Sequence, residues 1–354
     1  MSDSSSCLAR SSSTASRPPH SRRGCDRESG LTVSGTISLA RDPRAQLVLG
    51  TLGFGTKQNR DASFALLDTF VEEGGRTIDT AHVYGNWEHA APPSASERML
   101  GAWLSSRGMR TVVNATTKIG HPSLDDPEVT RLDPESLRLD IEEARDNLGL
   151  ETIPLVYLHR DSTAIPVEEL LEPLEGFTRA GLIGGYGASN WTTTRLQESR
   201  VVAAARGWTG FVVNQPSWGL ARPLETALPT GMVAMDGTMH RFHEQSGLPA
   251  SPYSSQSKGY FSRWRRGPAD ATVRLFHDNH NRATALLLDE LAPLYGIPAT
   301  ELSVAVLLAS AFPVAPVIGA GTVEQLRSSF RAASVGVSAA HLEAVRALCR
   351  LPVV

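Results

Sequence analysis

From Leu47 onward the chain alternates between short apolar or β-branched runs and longer stretches with apolar residues at helical spacing. Eight runs read as strands: residues 47–49, the run carrying Ile78, then 111–117, 153–158, 182–189, 211–215, 248–253 and 316–318. Helical patterns lie between and after them. Phe64, Leu67, Phe70 and Val71 mark one face of a helix predicted over 61–73, the spacing of a 3.6-residue turn. Asp133 and Pro134 open a helix that Gly149 stops, a familiar pairing of start and stop residues. Further helices are predicted over 96–106, 166–180, 192–206, 239–246, 284–295, 300–311, 323–333 and 339–349. Eight strand–helix units in one chain of 354 residues point to an α/β fold, the (β/α)8 TIM barrel. An open doubly wound sheet would carry G-x-G-x-x-G after its first strand. Gly50-Thr51-Leu52-Gly53-Phe54-Gly55 has a different spacing, and no ribose-binding acid accompanies it.

The totals set limits on partners. Lys+Arg 34 nearly balances Asp+Glu 37, for a net charge of -3, so nothing draws the chain to nucleic acid or an anionic membrane surface. No apolar run approaches the ~20 residues that span a bilayer. Cys7, Cys25 and Cys349 stand in no metal-ligand or C-x-x-C spacing. No metal site is therefore expected, and a cytoplasmic, reducing setting is. Residues 1–30, with Ser4-Ser5-Ser6, Ser11-Ser12-Ser13, Pro18-Pro19 and Arg22-Arg23, lack an apolar pattern and are expected to form a disordered extension. Residues 31–354 are then the barrel. Leu31, Val33, Ile37 and Leu39 alternate as a strand does, and Arg41-Asp42-Pro43-Arg44 is a polar turn before the next apolar run. An N-terminal β-hairpin is predicted there. Two connections, 216–238 and 254–282, are too long for plain loops. In a barrel both rise from the C-terminal face, where substrates bind.

One ionisable residue stands at the exit of each of three successive strands. Thr77-Ile78-Asp79 leads into a loop with Tyr84, Asn114-Ala115-Thr116-Thr117 leads to Lys118, and Leu155-Val156-Tyr157-Leu158 leads to His159. Parallel neighbours would bring these exits into one pocket. A free phenol has a pKa of ~10 and is a reluctant acid at neutral pH, but a neighbouring ammonium stabilises the phenolate. Lys118 can supply that ammonium, Asp79 can hold it in place and charged, and His159 can hydrogen-bond a substrate oxygen. The set amounts to a proton donor aimed at a developing alkoxide, which carbonyl reduction requires. Taken singly, each residue also has a packing reading. Asp79 suits a turn cap, Tyr84 a loop anchor, Lys118 a solvated strand end and His159 a satisfied surface histidine.

Taken together, the motifs resemble those of the aldo-keto reductase superfamily from about Leu47 to the C-terminus. The matching pieces are Asp79-Thr80-Ala81, Tyr84-Gly85, Ser96-Glu97, Thr117-Lys118, Leu158-His159, Gly187-Ala188-Ser189-Asn190, Asn214-Gln215, Gly319-Ala320-Gly321-Thr322 and Glu324-Gln325-Leu326. The resemblance implies NAD(P)H-dependent reduction of a small aldehyde or ketone. Tyr84 would be the general acid, Lys118 and Asp79 would tune it, and His159 would orient the carbonyl. It also implies a cofactor set. Gly50, Thr51 and Leu52, at the first strand exit, belong to it. Ser189, Asn190 and Gln215 would hold the nicotinamide amide, and Tyr253 would stack on the ring. Ser254, Gln256 and Lys258 would approach the pyrophosphate, and Gly319, Thr322 and Gln325 the adenosine end, where a helix N-terminus suits phosphate in any case.

The chain departs from the family's pattern in places. Gly319-Ala320-Gly321 holds no cation where many members pair one with the 2′-phosphate of NADP, and Ser329 stands where Asn is common. Arg327 and Arg331 are the remaining candidates, so the cofactor is read as NADP or NAD. The loop after Tyr84 is long, with Trp87, Pro92 and Pro93. Trp87, Trp218, Tyr260 and Trp264 are candidate pocket aromatics or, equally, loop packing. Two rival readings use the same barrel. One is a lyase with Lys118 as a Schiff-base amine, which needs an uncharged lysine and which Asp79 opposes. The other is a cofactor-binding subunit without turnover, since fold does not fix function.

Overall fold

The structure, a computed structural model, describes residues 42–349. The extension and first hairpin arm expected over residues 1–39 lie outside the described residues. Seven parallel strands form one sheet: β1 (Val48–Gly50), β2 (Thr77–Asp79), β3 (Asn114–Ile119), β4 (Leu155–Leu158), β5 (Tyr186–Ser189), β6 (Asn214–Gln215) and β7 (Val317–Ile318). Their order is β6-β5-β4-β3-β2-β1-β7, so the last strand returns beside the first. The apolar run at 47–49 is thus a barrel-type strand with parallel neighbours on both sides. The turn before it is a short helix, Pro43–Gln46, whose Arg44 N–H is capped by Asp42.

The strand expected over 248–253 does not form as a continuous ladder. Its backbone lies between β6 and β7, with Ser251 N–H donating to Asn214 O at 2.8 Å and Val317 N–H donating to Pro252 O at 2.9 Å. Only isolated bridges result. Pro249 and Pro252 carry no N–H, which removes two rungs from a run of six residues. Both edges of the sheet are nevertheless bonded to this one segment, as a (β/α)8 barrel requires. Val48, Leu155, Tyr157, Val213 and Ala315 pack together in the interior. β1 and β4 stand three strands apart in the sheet, so contact between their side chains demands a strong curl.

Helices follow the strands, on the boundaries their end signals suggest. Asp133 accepts from Ser136 N–H at 2.9 Å to open Pro134–Leu148, and Gly149 closes it at φ 66°. That left-handed conformation is cheap only for glycine. Asn59 and Thr192 cap Arg60–Glu72 and Thr193–Arg206 in the same way. β3 begins three residues later than the β-branched run suggested and continues through Lys118 to Ile119. The ammonium is therefore carried by the strand itself. Among the described residues no single helix is long and apolar enough to cross a membrane.

Candidate active site

The parallel register aligns Gly50 with Asp79, Asp79 with Thr116, and Ser189 with Gln215. The strand ends therefore deliver their side chains at one level. Lys118, 2% exposed, sits at the centre. Its Nζ donates to Asp79 Oδ2 at 2.6 Å, to Thr80 O at 2.7 Å and to Tyr84 Oη at 3.3 Å. Burial acts to lower the ammonium's pKa, but the Asp79 carboxylate and the Tyr84 oxygen outweigh it, and the net shift is upward. Asp79 Oδ1 accepts in turn from Thr116 Oγ1 at 3.0 Å and Gln215 Nε2 at 3.2 Å. Both carboxylate oxygens are engaged, as a buried charge requires.

Tyr84 is held by its loop. Gly85 follows it at φ 100°, and a Cβ there would come 2.7 Å from Ala95 Cβ, so only glycine lets the loop close on the helix Ala95–Arg107. Asn86 Oδ1 accepts from Ser94 N–H at 2.7 Å, and Ser94 Oγ donates to His82 O at 2.7 Å, which pins the loop's base. Trp87 meets the Tyr84 ring edge-on at 6.1 Å. The other aromatics proposed for the pocket are packed elsewhere. Trp218 stacks on Phe312, Tyr260 lies in the core against Phe261 and Phe276, and Trp264 donates to Asp289.

His159 is buried just beyond β4, its ring edge-on to the Tyr84 ring with the two centroids 6.0 Å apart. Burial, then Lys118, Arg160 and His121, hold its pKa well below the ordinary value, so the imidazole is neutral at physiological pH. Its carbonyl accepts from Asn190 Nδ2 at 3.1 Å. Asn190 takes a left-handed φ of 63° and its Oδ1 accepts from Tyr253 Oη at 2.7 Å. Burial, opposed by Arg160, pushes the Tyr253 phenol up to about 12. The four strand-exit residues and the group Ser189, Asn190, Gln215 and Tyr253 are therefore one connected cluster.

The remaining residues of the expected cofactor set extend from it. Ser254, Ser257 and Lys258 all have left-handed φ, at 57°, 48° and 52°, an accumulation of strained backbone of the kind that marks ligand sites. Gln256 ties this turn to the last strand exit, its Oε1 accepting from Gly319 N–H and its Nε2 donating to Ser329 Oγ, each at 3.0 Å. Gln325 Oε1 accepts from Gly321 N–H at 2.8 Å, and Thr322 caps the helix Val323–Ala332. Gln215 Oε1 is buried without a hydrogen-bond partner among the described residues. A carboxamide N–H would satisfy it, so the residues present fit a nicotinamide. Of the first strand exit, Leu52 is 55% exposed, and Gly50 lies against Val317. Thr51 is fully buried, its hydroxyl donating to Asp79 O at 3.1 Å. That hydroxyl also meets Ser96 Oγ at 2.8 Å, so the Thr51 side chain braces the first two strand exits.

Two residues join this site that the motifs did not single out. His121 meets His159 edge-on at 4.9 Å, and burial lowers its pKa. Arg160 Nη1 donates to His159 O at 3.0 Å. Both lie within three residues of Lys118 or His159. Strand exits in a barrel deliver more than one side chain to the same face, and that signal was available.

The sequence model of the Aldo/keto reductase family matches residues 46–350. Norsolorinic acid reductase stcV of Emericella nidulans is 29% identical over 310 residues, spanning 82% of this chain and 75% of that protein. The uncharacterized oxidoreductase YrpG of Bacillus subtilis is 24% identical over 307 residues, 83% of this chain and 88% of its own. Aldo-keto reductase ausK of Emericella nidulans is 25% identical over 324 residues, 84% and 76% respectively.

Proposed function

This chain belongs to the aldo/keto reductase family, and from that premise we propose that it reduces an aldehyde or ketone to the alcohol with NAD(P)H, Tyr84 donating the proton. The observation that carries this reading is the single ammonium bonded to both Asp79 Oδ2 and Tyr84 Oη. A reduced nicotinamide, when bound, supplies the hydride. Everything else falls to the chain's own side chains. The carbonyl oxygen sits between Tyr84 Oη and the His159 ring. His159 is neutral, so it orients that oxygen and is not the acid. As negative charge grows on the oxygen, Tyr84 gives up its proton and Lys118 stabilises the phenolate that remains. Asp79 keeps Lys118 cationic throughout. That same cationic state disfavours the lyase reading, which needs a neutral amine.

Ser189, Asn190 and Gln215 would hold the carboxamide and Tyr253 the ring face. The turn from Ser254 to Lys258 would take the pyrophosphate, and Gly319, Thr322 and Gln325 the adenosine end. The test is NAD(P)H oxidation with a panel of aldehydes, ketones and quinones. Tyr84→Phe is expected to abolish turnover while retaining cofactor binding by fluorescence quenching. Turnover by Tyr84→Phe at the native rate overturns the role of Tyr84. Cofactor binding with no turnover of any carbonyl by the native chain points instead to a binding subunit.

A further inference from the structure

The pocket holds a positive charge that the reaction above does not use. Arg160 follows His159 in the chain, and its guanidinium lies within electrostatic reach of Tyr84, Tyr253, His121 and His159. Nη1 is occupied by His159 O at 3.0 Å. Among the described residues no acid pairs with Arg160, and Nε and Nη2 have no acceptor. The acid next to it in sequence is committed elsewhere. Asp161 is gripped in a fork by Arg195, Nε to Oδ2 and Nη2 to Oδ1, each at 3.0 Å. The other charges facing the pocket cancel or vanish. Lys118 is matched by Asp79 at 2.6 Å, and both histidines have lowered pKa values that leave them neutral. Around Tyr84 and His159 one net positive charge therefore remains, on a side chain only partly open to water, while Lys258 lies exposed on the turn after Tyr253.

A half-buried guanidinium usually has a countercharge nearby. An arginine in this state is suited to a planar anion, since its fork matches the two oxygens of a carboxylate or phosphate. The stem of Arg160 runs beneath Gly231, in the long connection after β6, where a Cβ would lie 3.7 Å from Arg160 Cδ. The stem thus passes close to the backbone of that connection, and Nε and Nη2 are the donors left for a ligand.

We infer that the carbonyl compound taken by this site bears an anionic group, a carboxylate or phosphate, that Arg160 grips while Tyr84 meets the carbonyl oxygen. The inference rests on the reductase reading and narrows its substrate class. A phosphate of the cofactor is the other source of the same chemistry, and the test separates the two.

The full chain would be assayed with 4-formylbenzoate and benzaldehyde, matched except for the carboxylate, using NADH and NADPH in turn. The native chain should favour 4-formylbenzoate in kcat/KM by about tenfold or more, the weight of one charge-assisted hydrogen-bond pair. In Arg160→Gln that ratio should fall to near one, mainly through KM, and Arg160→Lys should regain part of it. Isothermal titration of benzoate gives a readout free of turnover, with binding expected to the native chain and lost in Arg160→Gln. An unchanged substrate ratio, or equal benzoate binding by both chains, overturns the inference. So does weaker NADH and NADPH binding in the variant with the ratio intact, which would assign Arg160 to the cofactor. If the native chain reduces no carbonyl yet binds benzoate through Arg160, the anion site stands and the reductase reading falls.

Discussion

Lys118 is a charge taken almost wholly out of water, and its three acceptors are what make that tolerable. Asp79 supplies the only formal countercharge among them. Removing one partner of a buried pair leaves the other uncompensated, at about 3–5 kcal/mol. Asp79→Asn is therefore expected to lower stability by that order and to cut turnover. The pair Asp79→Asn with Lys118→Met should recover much of the stability and none of the activity, because it removes the stranded charge together with the support for Tyr84. Urea unfolding beside an NAD(P)H-oxidation assay reads both. A double variant no more stable than the single one would mean that the pair is not coupled as described. The residue types and their order at the strand exits could be read in the sequence. The hydrogen bond from Gln215 Nε2 to Asp79 could not, because 136 residues separate the two and only ring closure brings them together.

The segment 248–253 shows how an element escapes a pattern-based reading. Its apolar run is a strand by hydrophobicity, but Pro249 and Pro252 leave it with too few donors for a ladder. Other groups hold it. His243, on the helix Gly237–Ser246, is fully buried, its Nδ1 against Leu248 O at 2.7 Å and its Nε2 beside Asn214 Nδ2 at 3.1 Å. The ring also stacks on Phe312 at 5.2 Å. It thus joins a helix, the seventh segment and β6. Burial lowers its pKa from the ordinary 6.5 to about 4. The folded chain keeps this ring neutral where the unfolded chain protonates it, so stability present above pH ~6.5 is lost as pH falls toward ~4. For this group the loss is about 3 kcal/mol. Urea unfolding at pH 7.5, 6 and 5 should show the decline, and His243→Gln should flatten it whatever that variant's stability at pH 7.5. An equal slope in both chains would refute the assignment. His121 and His159, with lowered pKa values of their own, contribute a remaining slope of the same sign.

At the scale of the whole molecule, the proposed cofactor residues come from β5, β6, the segment after 248 and the exit of β7, which together include both edges of the sheet. A dinucleotide spanning them would brace the closure. At a concentration 100 times its Kd it should add about 2.7 kcal/mol of stability, visible as a rise in Tm. NADH and NADPH are expected to act within about tenfold of each other, a gap of about 1.4 kcal/mol. Gly319-Ala320-Gly321 offers no cation, Arg327 is paired with Glu73 at 3.4 Å, and Arg331 is bonded to Ser328 at 2.6 Å. An NADPH preference of several orders of magnitude would overturn that reading of the loop. The sequence by itself determined the strand–helix alternation, helix ends such as Asp133 and Gly149, and the succession of Asp79, Tyr84, Lys118 and His159. Each of these depends on groups a few positions apart, or on the rule that parallel strands present their exits on one face. Only the tertiary structure decided that Asp161 turns to Arg195 while no acid pairs with Arg160 in the pocket, that the Thr51 hydroxyl meets Asp79 O and Ser96 Oγ, and that the seventh segment is bridged and not laddered. Those outcomes depend on which side chains and backbone donors meet after the ring has closed, and no local pattern encodes that.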